Sequence, residues 1–314
     1  VPPPCDAWHL PSEAGATPWH APPHRRAAAA GGVGAVVPCG LALHCLATMP
    51  GAAGAAGARG AAAAALIFAA GRDGGLHGYD ASGERSVSLA GAHADRVWSL
   101  AALPACTTAS STQPALLASG SADCSVRLWR LTSPPGGGAP SLEPWAPPLG
   151  HVAPVHAVMP HGDGRLLASG SEDGALHLWD LGAHASGAHA LRGVCAPPPH
   201  AASEERTAVY SLAPGSSGIW SGHWGGGIGA WDPATCTLVR SVRGAHQGAV
   251  WALQALAGHA GGSVGGSVGG SVGGSVASAG ADGAVRVWDE RQARAVAELP
   301  ELGCALYALA SHPN

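Results

Sequence analysis

Charge is scarce in this chain: 11% of its 314 residues are Asp, Glu, Lys or Arg, for a formal net charge of −4. With no basic stripe, the phosphate footprint of a nucleic-acid binder is not expected. No run of 18 apolar residues interrupts the sequence, so no membrane span is expected either. The eight cysteines (Cys5, Cys39, Cys45, Cys106, Cys124, Cys195, Cys236 and Cys304) form no Cys-x-x-Cys pair and no regular framework. They read as reduced, mostly buried thiols of a cytoplasmic protein, with the nucleus as the alternative compartment. The first residue is Val1 rather than Met and no signal-peptide pattern follows, which reads as a piece of a longer protein.

Catalytic signatures are missing as well. There is no Gly-x-Ser-x-Gly, no Walker loop, and no Gly-rich stretch in a strand-to-helix context. The 17 histidines include loop pairs such as His184 and His189, but without a second ligand cluster beside them. Neither a metal nor another cofactor is expected, and the chain does not read as an enzyme.

What is present is a repeat. Hydrophobic residues make up 46% of the chain, enough to bury a substantial core, and Gly (48) and Pro (26) are abundant. The stretch "LLASGSEDGALHLWD" (Leu166–Asp180) reads as a β-hairpin turning at Asp173-Gly174. It recurs as "LLASGSADCSVRLWR" (Leu116–Arg130) and "SVASAGADGAVRVWD" (Ser275–Asp289). Weaker copies are "LIFAAGRDGGLHGYD" (Leu66–Asp80) and "SGIWSGHWGGGIGAWD" (Ser217–Asp232). The closing aromatics, Tyr79, Trp129, Trp179, Trp231 and Trp288, recur at intervals of 50, 50, 52 and 57 residues, near the period of a four-stranded propeller blade. Before each hairpin lies a further strand: "LHCL", "VWSL", "VHAV", "VYSL", "VWAL" and, unaccompanied, "LYAL" (Leu306–Leu309). Three copies follow a Gly-His or Gly-Ala-His at His93, His151 and His246.

On these residues, from about 40 to 314, the chain resembles the WD-repeat β-propeller family. The resemblance implies an all-β fold with five recognisable four-stranded blades and the first strand of a sixth, truncated from a seven-bladed propeller. It also implies a buried His-Ser-Asp-Trp tetrad that locks each blade. By position the tetrads are His93, Ser119, Asp123 and Trp129; His151, Ser169, Asp173 and Trp179; and His246, Ser278, Asp282 and Trp288. A buried imidazole needs partners on both nitrogens, and the hydroxyl and carboxylate supply them. The first unit has Tyr79 and Asp73, but Ala69 stands in the Ser position and Cys39 in the His position. The fourth keeps Ser221 and Trp231, but has Gly225 at the turn and Glu205 for the His. Those two blades are expected to be looser.

Residues 1–35 are Pro- and Ala-rich and read as a disordered leader, with the propeller covering 36–314. The Gly-Ser-Val tract at 261–274 reads as a flexible surface loop, and residues 105–114, 134–148 and 183–205 as further loops.

Five residues beyond the Gly-His position comes His44, Trp98, His156, Tyr210, Trp251 and Tyr307, aromatic or histidine in every unit. In the family this position lies near the channel mouth on one flat face. These six, with Arg96 beside Trp98, are the candidate partner-binding rim. The expected role is thus a non-catalytic protein–protein interaction scaffold. Two alternatives stand beside it. The run Ala277–Arg291 is similar to the box by which WD-repeat substrate receptors meet the adaptor of cullin-4 ubiquitin ligases, making Asp282, Trp288, Asp289 and Arg291 a candidate adaptor contact. The run "IWSGHWGGGIGAW" (Ile219–Trp231) is similar to WD-repeat segments of inositol polyphosphate 5-phosphatases, which would make the chain a regulatory module of a larger enzyme.

Overall fold

A computed structural model describes residues 43–49, 65–80, 83–107, 112–132, 139–181, 190–196, 207–216, 218–256, 274–292, 294–299 and 303–310. The expected leader, the Gly-Ser-Val tract up to residue 273, Cys39 and Glu205 lie outside them. The described residues contain strands and no helix.

Five antiparallel sheets follow one another, each built in chain order from an inner to an outer strand. The first comprises β1 (Leu43–Met49), β2 (Leu66–Gly71), β3 (Leu76–Tyr79) and β4 (Arg85–Leu89). The second begins with β5 (Val97–Leu103), whose following loop carries a small pair, β6 (Cys106–Thr107) and β7 (Thr112–Gln113). It continues with β8 (Leu116–Ser121), β9 (Ser125–Thr132) and β10 (Ser141–Pro144), and the short β11 (Leu149–Gly150) also pairs with β9. The third is β12 (Val155–His161), β13 (Leu166–Ser171), β14 (Leu176–Asp180) and β15 (Ala190–Cys195). The fourth is β16 (Val209–Pro214), β17 (Ile219–His223), β18 (Ile228–Asp232) and β19 (Thr237–Val242). The fifth is β20 (Val250–Leu256), β21 (Ser275–Gly280), β22 (Val285–Asp289) and β23 (Arg294–Leu299).

These are five four-stranded blades. Two outer strands, β10 and β15, arise inside segments that the sequence presents as loops. Both lack the alternation of a half-buried strand, and β10 ends on Pro144, which is tolerated there because it sits at a sheet edge. The sixth unit's expected strand, 306–309, has no ladder: among the described residues nothing pairs beside it, and Leu306 N–H instead donates to Gly280 O at 3.1 Å.

The core lies between the blades rather than within any one of them. Four apolar clusters fill the four successive interfaces. Phe68, Val97, Leu117 and Trp129 join the first two blades, and Leu116, Val155, Leu167 and Trp179 join the second to the third. Met159, Leu176, Ile219 and Trp231 join the third to the fourth, and Trp220, Val250, Val276 and Trp288 join the fourth to the fifth. The second strands, such as "LLASGS", are therefore buried on both faces, and their small residues let neighbouring blades close up. Glycine is demanded there: a methyl group at Gly120 would meet Val155 Cγ1 at 2.9 Å, and one at Gly222 would meet Val250 Cγ1 at 2.7 Å. Each such contact presses the next blade's inner strand against its neighbour.

Three blades carry the full tetrad geometry. In the second, Trp129 Nε1–H donates to Ser119 Oγ (2.8 Å), which lies 2.7 Å from His93 Nε2, while His93 Nδ1 lies 3.0 Å from Asp123. The third repeats the chain with Trp179, Ser169 and His151 at 2.8 and 2.7 Å, closing on Asp173 at a looser 3.4 Å. The fifth has Trp288, Ser278, His246 and Asp282 at 2.8, 2.7 and 2.8 Å. The three histidines and three serines are buried, so each bond satisfies a group that water cannot reach. Burial alone would raise the Asp123 carboxyl, but hydrogen bonds from His93, Ser125 and the Ala94 amide hold it well below the usual range. Asp282 is lowered in the same way: its own burial opposes the shift, and Arg286 and His246 overcome it.

The first and fourth blades find substitutes. His77, two residues before Tyr79, places Nε2 at 2.8 Å from Asp73 and Nδ1 at 3.3 Å from Ser88. In the fourth blade Trp231 Nε1–H donates to Ser221 Oγ at 2.7 Å, and the hydroxyl meets His223 Nε2 at 2.9 Å. His223 Nδ1–H then donates to Thr207 O at 2.8 Å in place of a carboxylate. A histidine from within the hairpin thus replaces the one missing upstream.

Candidate functional site

The register of each blade decides where the candidate rim residues point. Between the first two strands, every blade has a β-bulge at the same place. Leu43 pairs with Gly71 and Cys45 with Ala70, leaving His44 unmatched. Trp98, His156, Tyr210 and Trp251 are skipped in the same way in the four blades that follow. A bulge adds one residue, bends the strand and re-aims the extra side chain. The position that is aromatic or histidine in every unit is the bulged position in all five blades.

The result is one continuous arc of rings. Ring centroids are 4.4 Å apart for His44 and Trp98, 5.5 Å for Trp98 and His156, and 4.2 Å for His156 and Tyr210. Trp251 follows at 5.0 Å from Tyr210, and Tyr307 at 5.4 Å from Trp251. The structure thus brings all six candidate rings together, Tyr307 included despite its lack of a strand. From Trp98 to Tyr307 the arc lines a depression of about 360 Å³ whose walls also include Ser99, Ser211 and Leu253. His44 and Tyr307 are exposed, and the rings between them are half-buried. Trp251 Nε1–H is buried without a hydrogen-bond partner among the described residues.

Polar groups give the arc a direction. The Arg96 guanidinium stacks over Trp98 at 5.5 Å and also meets Asp95 at 3.5 Å. His44 is held below its ordinary value, first by partial burial and then by the positive charges of Arg96 and Arg72. At the centre, Glu172 Oε1 lies 3.1 Å from His156 Nε2 and accepts from the Tyr210 hydroxyl at 3.5 Å. The His156 bond is the main reason that its carboxyl titrates lower than an ordinary glutamate, with burial opposing. Beyond it, Trp224 sits 5.3 Å from Tyr210 and 5.7 Å from Trp251.

Glu172 and Trp224 are additions to the site. They occupy one equivalent turn position, just before the Asp of the third blade and just before Gly225 of the fourth. The other blades have Arg72, Ala122 and Ala281 there. Aligning the repeats on the closing aromatic and reading this column would have found them.

The candidate adaptor residues lie apart in role. Asp282 and Trp288 are engaged in the fifth blade's tetrad, and Asp289 accepts from the Arg291 amide at 2.7 Å. Arg291 itself is exposed on the turn between β22 and β23. Among the described residues no group of three His, Cys, Asp or Glu side chains converges as a metal site would require. No helix there is long and apolar enough to cross a membrane.

Consecutive four-stranded antiparallel sheets, packed through their inner strands and keyed by Trp-Ser-His-Asp chains, define a propeller-type repeat protein. The chain carries WD repeats: three stretches, residues 84–130, 147–180 and 236–289, match the family model described as "WD domain, G-beta repeat". These stretches contain the hairpins of the second, third and fifth blades, the three with complete tetrads. No curated protein matches the chain.

Proposed function

We propose that the chain is a non-catalytic interaction scaffold that holds a peptide or protein partner across the aromatic arc. WD repeats support the general role of a protein–protein interaction platform. The observation that carries the finer reading is the coincidence of bulge and ring. A bulge interrupts the ladder at the same residue in five blades, and at each of them the side chain turned out of the sheet is aromatic or histidine. Large amphipathic rings with two χ angles lose little entropy on binding and are typical anchors of interfaces. Rings needed only to fill a core would not require a repeated departure from regular pairing.

A competing reading places a ubiquitin-ligase adaptor on the fifth blade, and it rests on the exposed Arg291. Affinity capture with mass spectrometry separates the two. The complete gene product would be compared as wild type, Trp98→Ala/Trp251→Ala and Arg291→Ala, each first shown to melt as a folded protein. Specific partners lost from the rim variant alone support the scaffold reading. A cullin adaptor lost from Arg291→Ala alone supports the other. An unchanged set in both variants overturns both.

A further inference from the structure

The arc is not uniformly apolar, and its charges specify what fits. Both contacts to Glu172 fall on Oε1, so Oε2 has no hydrogen bond among the described residues. The side chain keeps 29% of its surface open. A carboxylate with an unused oxygen therefore lies beside a cluster of π faces. Tyr210 touches Glu172 through its hydroxyl, and its ring packs against Trp224 and Trp251. Tyr210 and Trp224 are tilted by 35° to each other, and Trp251 stands at 80° and 86° to them.

Carboxylate and inclined aromatic faces together are the complement of a cation. Rings attract a guanidinium or ammonium through their quadrupoles, most strongly where water is partly excluded, and the carboxylate adds a charge-assisted hydrogen bond. The chain already makes one such contact within itself, where Arg96 lies over Trp98. The opposite end of the arc has the reverse preference. Arg72 and Arg96 both raise the local positive potential at His44. From His44 to Tyr210 the ring-to-ring steps are 4.4, 5.5 and 4.2 Å. That is on the order of four residues of extended chain, at about 3.3 Å per residue. A polybasic segment laid along the whole arc would be repelled at that end, whereas one cation set over Glu172 is not.

Building on the scaffold reading above, we infer that the arc recognises a partner peptide through a single Arg or Lys side chain. That side chain seats between the Glu172 carboxylate and the faces of Tyr210 and Trp224, with no second cation toward Arg72 and Arg96. Glu172 provides the selectivity, and the rings supply most of the contact area.

The test is selection of a displayed library of random dodecapeptides on the purified full chain, with Trp98→Ala/Trp251→Ala as the non-binding control. The expected outcome is enrichment of sequences with one Arg or Lys in an otherwise uncharged or acidic context. A synthetic copy of an enriched peptide should bind about tenfold or more weakly once its own Arg or Lys becomes Gln. Glu172→Gln should weaken the unmodified peptide comparably, and combining the two changes should cost no more than either alone. Because the peptide-side change leaves the protein untouched, a folding defect in Glu172→Gln cannot mimic the result. Enriched peptides that are purely apolar, acidic or polybasic, or basic ones that bind Glu172→Gln undiminished, would overturn this inference and leave the scaffold reading intact. Enrichment no greater than on the double rim variant would overturn both.

Discussion

The second, third and fifth blades solve the problem of a buried hydrogen-bonding core with a histidine delivered by the preceding turn, whereas the first and fourth solve it with a histidine from their own hairpin. In the former, His93, His151 and His246 reach a serine of their own blade and tie the loop entering it to the second strand. In the latter, His77 comes from the third strand and His223 from the end of the second. In the fourth blade the buried serine and indole stay satisfied although a different residue provides the histidine. An unsatisfied hydroxyl or indole N–H in such a place costs about 1–3 kcal/mol.

The comparison predicts a ranking of effects. The largest should follow loss of the shared serine, because two buried side chains depend on its hydroxyl. Ser169→Ala would strand both Trp179 Nε1–H and His151 Nε2, and Ser221→Ala would do the same to Trp231 and His223. Each should cost roughly 2–4 kcal/mol in urea unfolding. Equal losses in the two blades would sharpen the equivalence, and a negligible loss at Ser221 would break it.

Next in size are the substitute histidines. His223→Ala should destabilise by about 1–3 kcal/mol, as His151→Ala should, because each leaves a serine hydroxyl short of its partner. Loss of stability at His151 without loss at His223 would mean that the fourth blade is not held in this way.

A moderate effect separates the third blade from the fifth through acid. His177 stacks on His151 with centroids 3.8 Å apart, and burial followed by the charge of His151 lowers its pKa to about 4. The unfolded chain, near 6.5, takes up the proton first, so stability should fall as the pH drops from 6.5 to 4. Arg286 fills the equivalent place in the fifth blade and donates to Asp282 at 2.8 Å. His177→Arg should thus flatten the profile in that window. The lowered carboxyls of Asp123, Asp173 and Asp282 act further down: their stabilisation is present above about pH 4 and is lost as the pH falls below it. Melting temperature against pH in both proteins checks the two windows.

The smallest effect should be favourable. Tyr79 stands where other blades have Trp, with Ala69 in place of the serine, and its hydroxyl is buried without a partner among the described residues. Tyr79→Phe removes that stranded group and should leave stability unchanged or raise it by up to about 1 kcal/mol. A clear loss in calorimetry would reveal a bond that this account lacks.

The parts legible in the sequence are those set by local chemistry. The hairpin turns and the closing aromatics mark every blade, and the rim position, five residues beyond the Gly-His position, picks out six residues that the fold gathers into one arc. The outer strands β10 and β15 were hidden because an exposed edge strand needs no apolar alternation, and theirs are embedded in Pro- and Gly-rich runs. His77 and His223 were hidden because their role depends on a serine or carboxylate brought near by pairing across strands. The bulges leave no mark in a single repeat, since skipping a residue is a property of two strands together. Glu172 looked like half of a turn, and only its neighbours on the next blade, Tyr210 and Trp224, make it part of a site.

The division of labour between keyed interior and open rim is the claim on which everything else depends. Hydrogen exchange measured strand by strand on the wild type, His223→Ala and Trp98→Ala/Trp251→Ala tests it most directly. The account predicts faster exchange in β17 and β18 of His223→Ala and unchanged protection across all five sheets of the rim variant. Accelerated exchange through the blades of the rim variant would contradict it, because the arc would then be packing that holds the fold rather than a surface that meets a partner.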